Sequence, residues 1–488
     1  MASDDEQQDL PQPFDAKKLA PAKKRQRSTS PSASGGTPGT GADSPAPRKQ
    51  KRPGGRARID EATREQIRQR ALERERTNAE YDRELASSSR GPPRDVVAEH
   101  YNNVPERGRT WRKTDSRIKG LRSFNNWVKS CIIQKFSPDE DHSPGARERG
   151  ISTGNKLLVL DMGCGKGGDL FKWQQAPQAV ELYVGMDPAE VSIEQARGRY
   201  YKMRDPDGGR GGRGGGRGGY NRRPPPRIFE GRFHVKDCFG ESIGDMDIVR
   251  QVGFTNSNVS SHQGFDVVSM MFCMHYAFES EAKARQMLKN VAGALKKGGR
   301  FIGCIPNSDV ISAKVVEFNK RQKEQAKARA EKAAAKAAAK SEKGEEEEEQ
   351  KEEGELDEDE DAQPKEEEFA NWGNEIYRVK FPGKTPEDGV FRPPFGWKYN
   401  FFLHEAVEEV PEYVVPWLAF RALAEDYNLE LQYHKPFADV WEAEKDDRDL
   451  GPLSERMGVR DRRTGELLVS PEEMEAASFY MAFCFYRV

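Results

Sequence analysis

The stretch LLVLDMGCGKGGDL, residues 157–170, decides how the rest of this 488-residue chain is read. It begins as an apolar run, reaches Asp161, and then places Gly163, Gly165, Gly167 and Gly168 within six residues. An apolar strand that breaks into glycines and re-forms as a helix makes a turn whose backbone can approach a ligand closely. The free N–H groups at the helix start then face a polar or anionic partner. In open α/β sheets such turns lie at the carboxyl ends of strands, where nucleotide-like ligands bind. A phosphate-binding P-loop is excluded, because Lys166 is followed by Gly167 where that motif needs Ser or Thr.

Two further segments extend the pattern. ELYVGMD (181–187) ends in Asp187, 20–30 residues beyond the first strand, where an acidic side chain can grip a ribose diol. FHVKD (233–237) ends in Asp237, where a third strand would close beside an adenine. Any one of these aspartates could be a simple turn former; three at successive strand ends point to a nucleoside-bearing ligand. The residues alone leave NAD and S-adenosylmethionine both open, since GCGKGG also satisfies the G-x-G-x-x-G spacing of a dinucleotide site.

FDVVSMMFCMHYAF (265–278) and GRFIGCIP (299–306) read as further β-rich segments. VSIEQARGRYYKM (191–203) and EAKARQMLKNVAGAL (281–295) read as helices between strands. Upstream, Leu121, Phe124, Trp127, Val128 and Cys131 recur at helical spacing, and SFYMAFCFYRV (478–488) reads as a closing strand. Strands alternating with helices predict an α/β fold with a mostly parallel central sheet. Only 35% of residues are hydrophobic and 33% are charged, so an ordinary core must be diluted by polar segments. These are a disordered basic tail (1–93), an RGG/Pro-rich insertion (204–226), and a Lys/Ala helix leading into an acidic insertion (321–368). The folded domain is then expected over 94–320 and 369–488.

The net charge of −2 conceals an imbalance. Residues 341–368 hold 17 Asp/Glu against 3 Lys, a local charge of −14, which leaves +12 on the remainder. A basic body favours a polyanionic partner. The tail carries 10 Lys/Arg against one Asp between residues 21 and 58, including KKRQR (23–27) and RKQKR (48–52). It reads as a nuclear address or an RNA-clinging arm, or as a merely solvated tail. The six cysteines show no C-x-x-C spacing and sit largely in apolar runs, which predicts reduced core thiols and no zinc site. The N-terminus lacks a signal-peptide pattern and no apolar run is long enough to span a bilayer, so a soluble protein with no membrane contact is expected.

DMGCGKGGDL, with FNNWVKS before it and MHYAFES, IPNS and GNEIYRVKF after it in order, resembles the eukaryotic (fungal-like) mRNA cap guanine-N(7) methyltransferases. The resemblance runs over about 95–320 and 369–488. It implies a Rossmann-like class I methyltransferase fold, S-adenosylmethionine as methyl donor without a metal, and the terminal guanine of GpppN-RNA as acceptor. It points to Lys129, Gly163, Asp187, Asp237, Met271 and Tyr276 for the donor, with Met271 standing where the family is expected to carry Gln. For the cap it points to Asn125, Asn126, Lys166, Lys172, Arg199, His275, Glu375 and Tyr480. The reacting guanine nitrogen already has a free lone pair, so no catalytic base is expected; rate should come from proximity and electrostatics. A nuclear enzyme acting on the capped pre-mRNA 5′ end, meeting the RNA polymerase II C-terminal domain or the capping enzyme, is the implied setting. Two other functions fit parts of the chain: a small-molecule methyltransferase, and a non-catalytic RGG-type RNA-binding adaptor.

Overall fold

The computed structural model describes residues 93–103, 111, 114–139, 154–205, 228–256, 261–342 and 369–488. The chain divides into two units, 1–78 and 79–488, and every described residue lies in the second. The basic tail up to residue 92, almost all of the RGG/Pro-rich insertion and the acidic segment 343–368 lie outside the described residues.

Five strands follow the Gly-rich pattern: β1 (Leu157–Met162), β2 (Val180–Asp187), β3 (Glu230–Val235), β4 (Phe265–Met271) and β5 (Leu295–Pro306). Four short strands follow, β6 (Asn371–Gly373), β7 (Tyr377–Lys380), β8 (Lys398–Leu403) and β9 (Val407–Tyr413), and two more close the chain, β10 (Leu429–Pro436) and β11 (Tyr480–Arg487). The helices on the amino-terminal side are α1 (Pro93–Asn103), α2 (Lys119–Phe136), α3 (Leu170–Gln174), α4 (Glu190–Arg204) and α5 (Asp247–Val252). Then come α6 (Glu281–Ala294), α7 (Ser308–Glu342), α8 (Trp417–Glu425), α9 (Phe437–Glu444), α10 (Leu450–Met457) and α11 (Pro471–Ser478).

The central sheet has the order β10-β11-β5-β4-β1-β2-β3. β3, β2, β1, β4 and β5 are parallel, and β11 is the antiparallel member, slotted between β5 and β10. This is the Rossmann-like mixed α/β sheet expected from the sequence. Strand order reverses between β1 and β4, which makes the carboxyl ends of those two strands the topological switch point. Burial on both faces explains the apolar runs. On β11, Tyr480, Ala482 and Cys484 enter one hydrophobic cluster, while Met481, Phe483 and Phe485 enter the other.

β6–β9 form a second, antiparallel sheet. Tyr377, Val379, Tyr399 and Phe401 from it share a core with Phe124 and Trp127 of α2. Residues 369–488 belong to the same fold as the Gly-rich half, because their last two strands complete the main sheet.

One expectation needs correcting. FDVVSMMFCMHYAF is a strand only to Met271; Phe272 turns into the left-handed region at φ 64°, and Met274–Glu279 is a 3₁₀ helix. α7 confirms a helix across the Lys/Ala-rich segment, anchored by buried Ile311 and Val315 and exposed almost throughout from Lys320 to Ala335. All six cysteines are free and buried. Among the described residues no helix is long and apolar enough to cross a membrane.

Candidate active site

The turn after β1 is held by its glycines in a shape other residues resist. Gly163, Gly165 and Gly167 have φ of 74°, 51° and 68°. The N–H groups of Gly163 and Cys164 both donate to the Met186 carbonyl, at 2.7 and 3.0 Å, tying the turn to β2. A Cβ on Gly163 would sit 2.6 Å from the Cys273 Sγ, whereas one on Gly165 or Gly168 would meet nothing within 4 Å. The turn is packed on its inner side and open on the other.

It opens onto a cavity of about 1180 Å³. Asp187, at the end of β2, closes the turn from the side. Its Oδ2 accepts the Gly165 N–H and its Oδ1 the Ala189 N–H, both at 2.9 Å. Burial raises the Asp187 carboxyl above its ordinary pKa, and these two backbone donors oppose that rise. Each carboxylate oxygen keeps a second lone pair for a ligand hydroxyl.

The floor is an ion triad of Lys129 and Lys172, both assigned from the sequence, on Asp169, which was not. Lys129 Nζ lies 2.8 Å from Asp169 Oδ1 and 2.9 Å from Oδ2, and Lys172 Nζ lies 2.7 Å from Oδ1. Burial alone would raise the Asp169 carboxyl, but the two ammonium groups outweigh it and hold it well below the usual carboxylate range. Burial also lowers the Lys172 pKa, with Asp169 opposing. Two lysines on one carboxylate leave a net positive charge facing the cavity. Asn126 Oδ1 accepts from Lys172 at 2.8 Å, and its Nδ2 donates to the Arg122 carbonyl at 2.8 Å. Beneath the turn, Asp161 accepts from Ser269 and Tyr183 hydroxyls, each at 2.6 Å, and burial with nearby Asp169 pushes its carboxyl up to about 7.

All six donor-site candidates, Lys129, Gly163, Asp187, Asp237, Met271 and Tyr276, line this one cavity. Of the cap candidates, Asn126, Lys166 and Lys172 line it. Asn125 does not; its buried Oδ1 has no hydrogen-bond partner among the described residues. Arg199 lies outside the lining but within electrostatic reach of Lys172.

His275 and Tyr480 each lie one ring behind the wall. His275 packs 4.4 Å from Tyr276, and Tyr480 makes an edge contact with Phe272 at 4.8 Å; Tyr276 and Phe272 line the cavity. The Tyr276 hydroxyl is 3.1 Å from that of Tyr101, which lines the cavity from α1. The left-handed backbone of Phe272 is the kind of local strain that a functional site retains.

Glu375 is not brought to the site. Its side chain is 86% exposed, pairs with Arg117 at 3.2 Å, and lies off the cavity lining. The carboxylate the structure offers instead is Glu412, buried between the lining residues Pro411 and Tyr413. Its Oε2 accepts from the Tyr399 hydroxyl at 2.8 Å, and its Oε1 lies 3.4 Å from His275 Nε2. Among the described residues neither ring nitrogen of His275 has a hydrogen-bond partner, despite 2% exposure. Glu412 and His275 both lie off the cavity lining, behind Tyr276, Pro411 and Tyr413, which line it. The sequence clue was a lone acid in the apolar run VPEYVV (410–415); that for Asp169 lay inside the opening stretch itself.

A profile of the mRNA (guanine-N(7))-methyltransferase domain matches residues 86–331 and 361–488. A protein of Pyricularia oryzae named mRNA cap guanine-N(7) methyltransferase is 68% identical over 475 residues, covering 97% of this chain and 91% of its own. One of the same name from Aspergillus clavatus is 57% identical, covering 91% of this chain and 77% of its own. That of Schizosaccharomyces pombe is 39% identical, covering 81% and 82%.

Proposed function

The chain belongs to the mRNA (guanine-N(7))-methyltransferase family, and on that footing we propose that its cavity holds the methyl donor against the Gly-rich turn and the cap guanine toward Tyr276 and Glu412. The enzyme transfers a methyl group from S-adenosylmethionine to nitrogen-7 of the terminal guanine of the GpppN-RNA cap. When bound, the donor supplies an electrophilic methyl on a sulfonium.

The residues present fit that donor. Asp187 offers lone pairs to ribose hydroxyls while its backbone bonds fix their direction. Asp237, at the adenine end, takes the Phe239 N–H at 3.0 Å on Oδ1. Lys129 faces the methionine carboxylate and shares its charge with Asp169. Met271 lines the wall without an amide, so its side chain contributes packing.

On the acceptor side, we assign to Glu412 the N–H donors of the guanine Watson–Crick edge, with His275 beside it as a positioning residue. Tyr276 and Phe272 wall the base, and Lys166, Lys172 and Asn126 face the triphosphate. No side chain needs to take a proton, because the guanine nitrogen carries none. The work left to the protein is alignment and a preorganised field.

The observation that carries this reading is the single lining shared by all six donor candidates, one of which, Tyr276, packs against His275, the neighbour of Glu412. Around it we place a nuclear enzyme working on nascent transcripts, supported by the basic runs 23–27 and 48–52. Contact with the RNA polymerase II C-terminal domain or the capping enzyme belongs to the same proposal. The test is methyl transfer to GpppA-RNA against free guanosine, with the product mapped to its nitrogen. Preference for the capped RNA and label on nitrogen-7 are expected; equal use of both acceptors would favour a small-molecule enzyme. RNA binding without donor binding would favour an adaptor.

A further inference from the structure

Eight large apolar side chains stand out as exposed among the described residues, and of these Phe171 alone lines the cavity. It is 54% exposed, while Leu170 and Trp173 on the same short helix α3 are buried at 0% and 1%. The helix is therefore anchored on both sides of an aromatic ring that it holds out to solvent. Gln134 on α2 fastens the far end, donating to the Gln175 carbonyl at 3.0 Å. Among the described residues more than half of the Phe171 residue surface is left uncovered, and it is left uncovered at the cavity mouth.

Its neighbours say what belongs there. Phe171 adjoins Lys172, whose ammonium belongs to the positive floor, and Lys166 precedes it on the same turn. The cavity also continues past the donor half to Gln134, Gln175, Leu453 and Met457. At about 1180 Å³ it exceeds the roughly 300–1,000 Å³ of a pocket for one small ligand. Resting on the cap reading above, we propose that Phe171 is the stacking platform for the first transcribed nucleoside, the one joined through the triphosphate to the guanine being methylated. Stacking on an exposed ring tolerates any base, so the subsite distinguishes a nucleoside from none and not one base from another.

The test compares GpppA with GTP as methyl acceptors; GTP keeps the guanine and triphosphate but lacks the second nucleoside. Phe171→Ala should raise KM for GpppA by about 5- to 150-fold, the span of one lost base–aromatic stack, and leave KM for GTP within about twofold. Phe171→Trp should restore GpppA use, which a merely structural role for the side chain would not do. Equal changes for both acceptors, or no change for either, would overturn the proposal. Failure of the unaltered enzyme to methylate either acceptor would instead overturn the cap reading on which it rests.

Discussion

The two sides of the cavity are built in opposite ways. The donor side centres on one local unit, β1, its turn and the end of β2, to which α2 adds Lys129 and the ends of β3 and β4 add Asp237, Met271 and Tyr276, and the polar groups of that unit already have partners inside the protein. Asp187 holds Gly165 and Ala189, and Asp169 holds Lys129 and Lys172. The acceptor side is assembled from four distant places in the chain, around residues 101, 275, 412 and 480, and among the described residues His275 makes no hydrogen bond through either ring nitrogen, its Nε2 lying 3.4 Å from Glu412. A cofactor that every turnover uses can be met by a finished surface. A substrate recognised by its hydrogen-bonding edge needs groups that only the substrate satisfies, since a wrong partner then leaves them buried and unpaired.

The contrast can be broken most severely at Asp187. Asp187→Ala removes the ribose acceptor and releases two backbone N–H groups of the turn at once. Methyl transfer should fall by about 100-fold or more, with KM for S-adenosylmethionine raised. Normal kinetics in a donor titration would sink the assignment. Next comes the turn itself. Gly163→Ala forces a side chain into left-handed backbone and against the Cys273 Sγ. Denaturant unfolding should show a loss of about 2–4 kcal/mol, and an unchanged midpoint would mean the turn is less closely packed than described.

A smaller effect tests the buried acid under the turn. The Asp161 carboxyl is raised to about 7 in the fold from an ordinary value of 3.8. An acid whose folded pKa is raised contributes stability that is fully present below about 4 and is lost as pH rises through 7. Asp161→Asn does not titrate, so its melting temperature relative to the parent should climb between about pH 4 and pH 7 and flatten above. A difference independent of pH would show Asp161 ionised in the fold throughout. The smallest effect belongs to Glu375→Ala. With its side chain exposed and paired only to Arg117 among the described groups, cap kinetics should stay within about twofold. A loss specific to the cap would restore Glu375 to the acceptor side.

The same contrast explains what could be read before the structure. β1, the Gly-rich turn and Asp187 were legible because an apolar strand, glycines and a terminal acid follow one another between residues 157 and 187, and β3 to β5 because each is a short β-rich run set among helix-like segments. The second sheet was not, because β6 to β9 are three to seven residues long and interrupted by Pro and Gly. Nor was the 3₁₀ turn after Met271, since nothing in the letters FCMHYAF announces that Phe272 takes a positive φ. Local pattern cannot tell the exposed Glu375, which the resemblance points to, from the buried Glu412, whose surroundings depend on the packing of β9 against Tyr399 and His275.

The division of the cavity is tested most directly by Glu412→Gln, which keeps the side-chain volume and removes one charged acceptor. Steady-state methylation of GpppA-RNA should be measured while each substrate is varied in turn. The expected result is a fall in kcat/KM for the capped RNA of about 10- to 150-fold, with KM for S-adenosylmethionine within about twofold of the parent. A donor KM that moves as much as the cap value, or cap kinetics that do not change, would contradict the account.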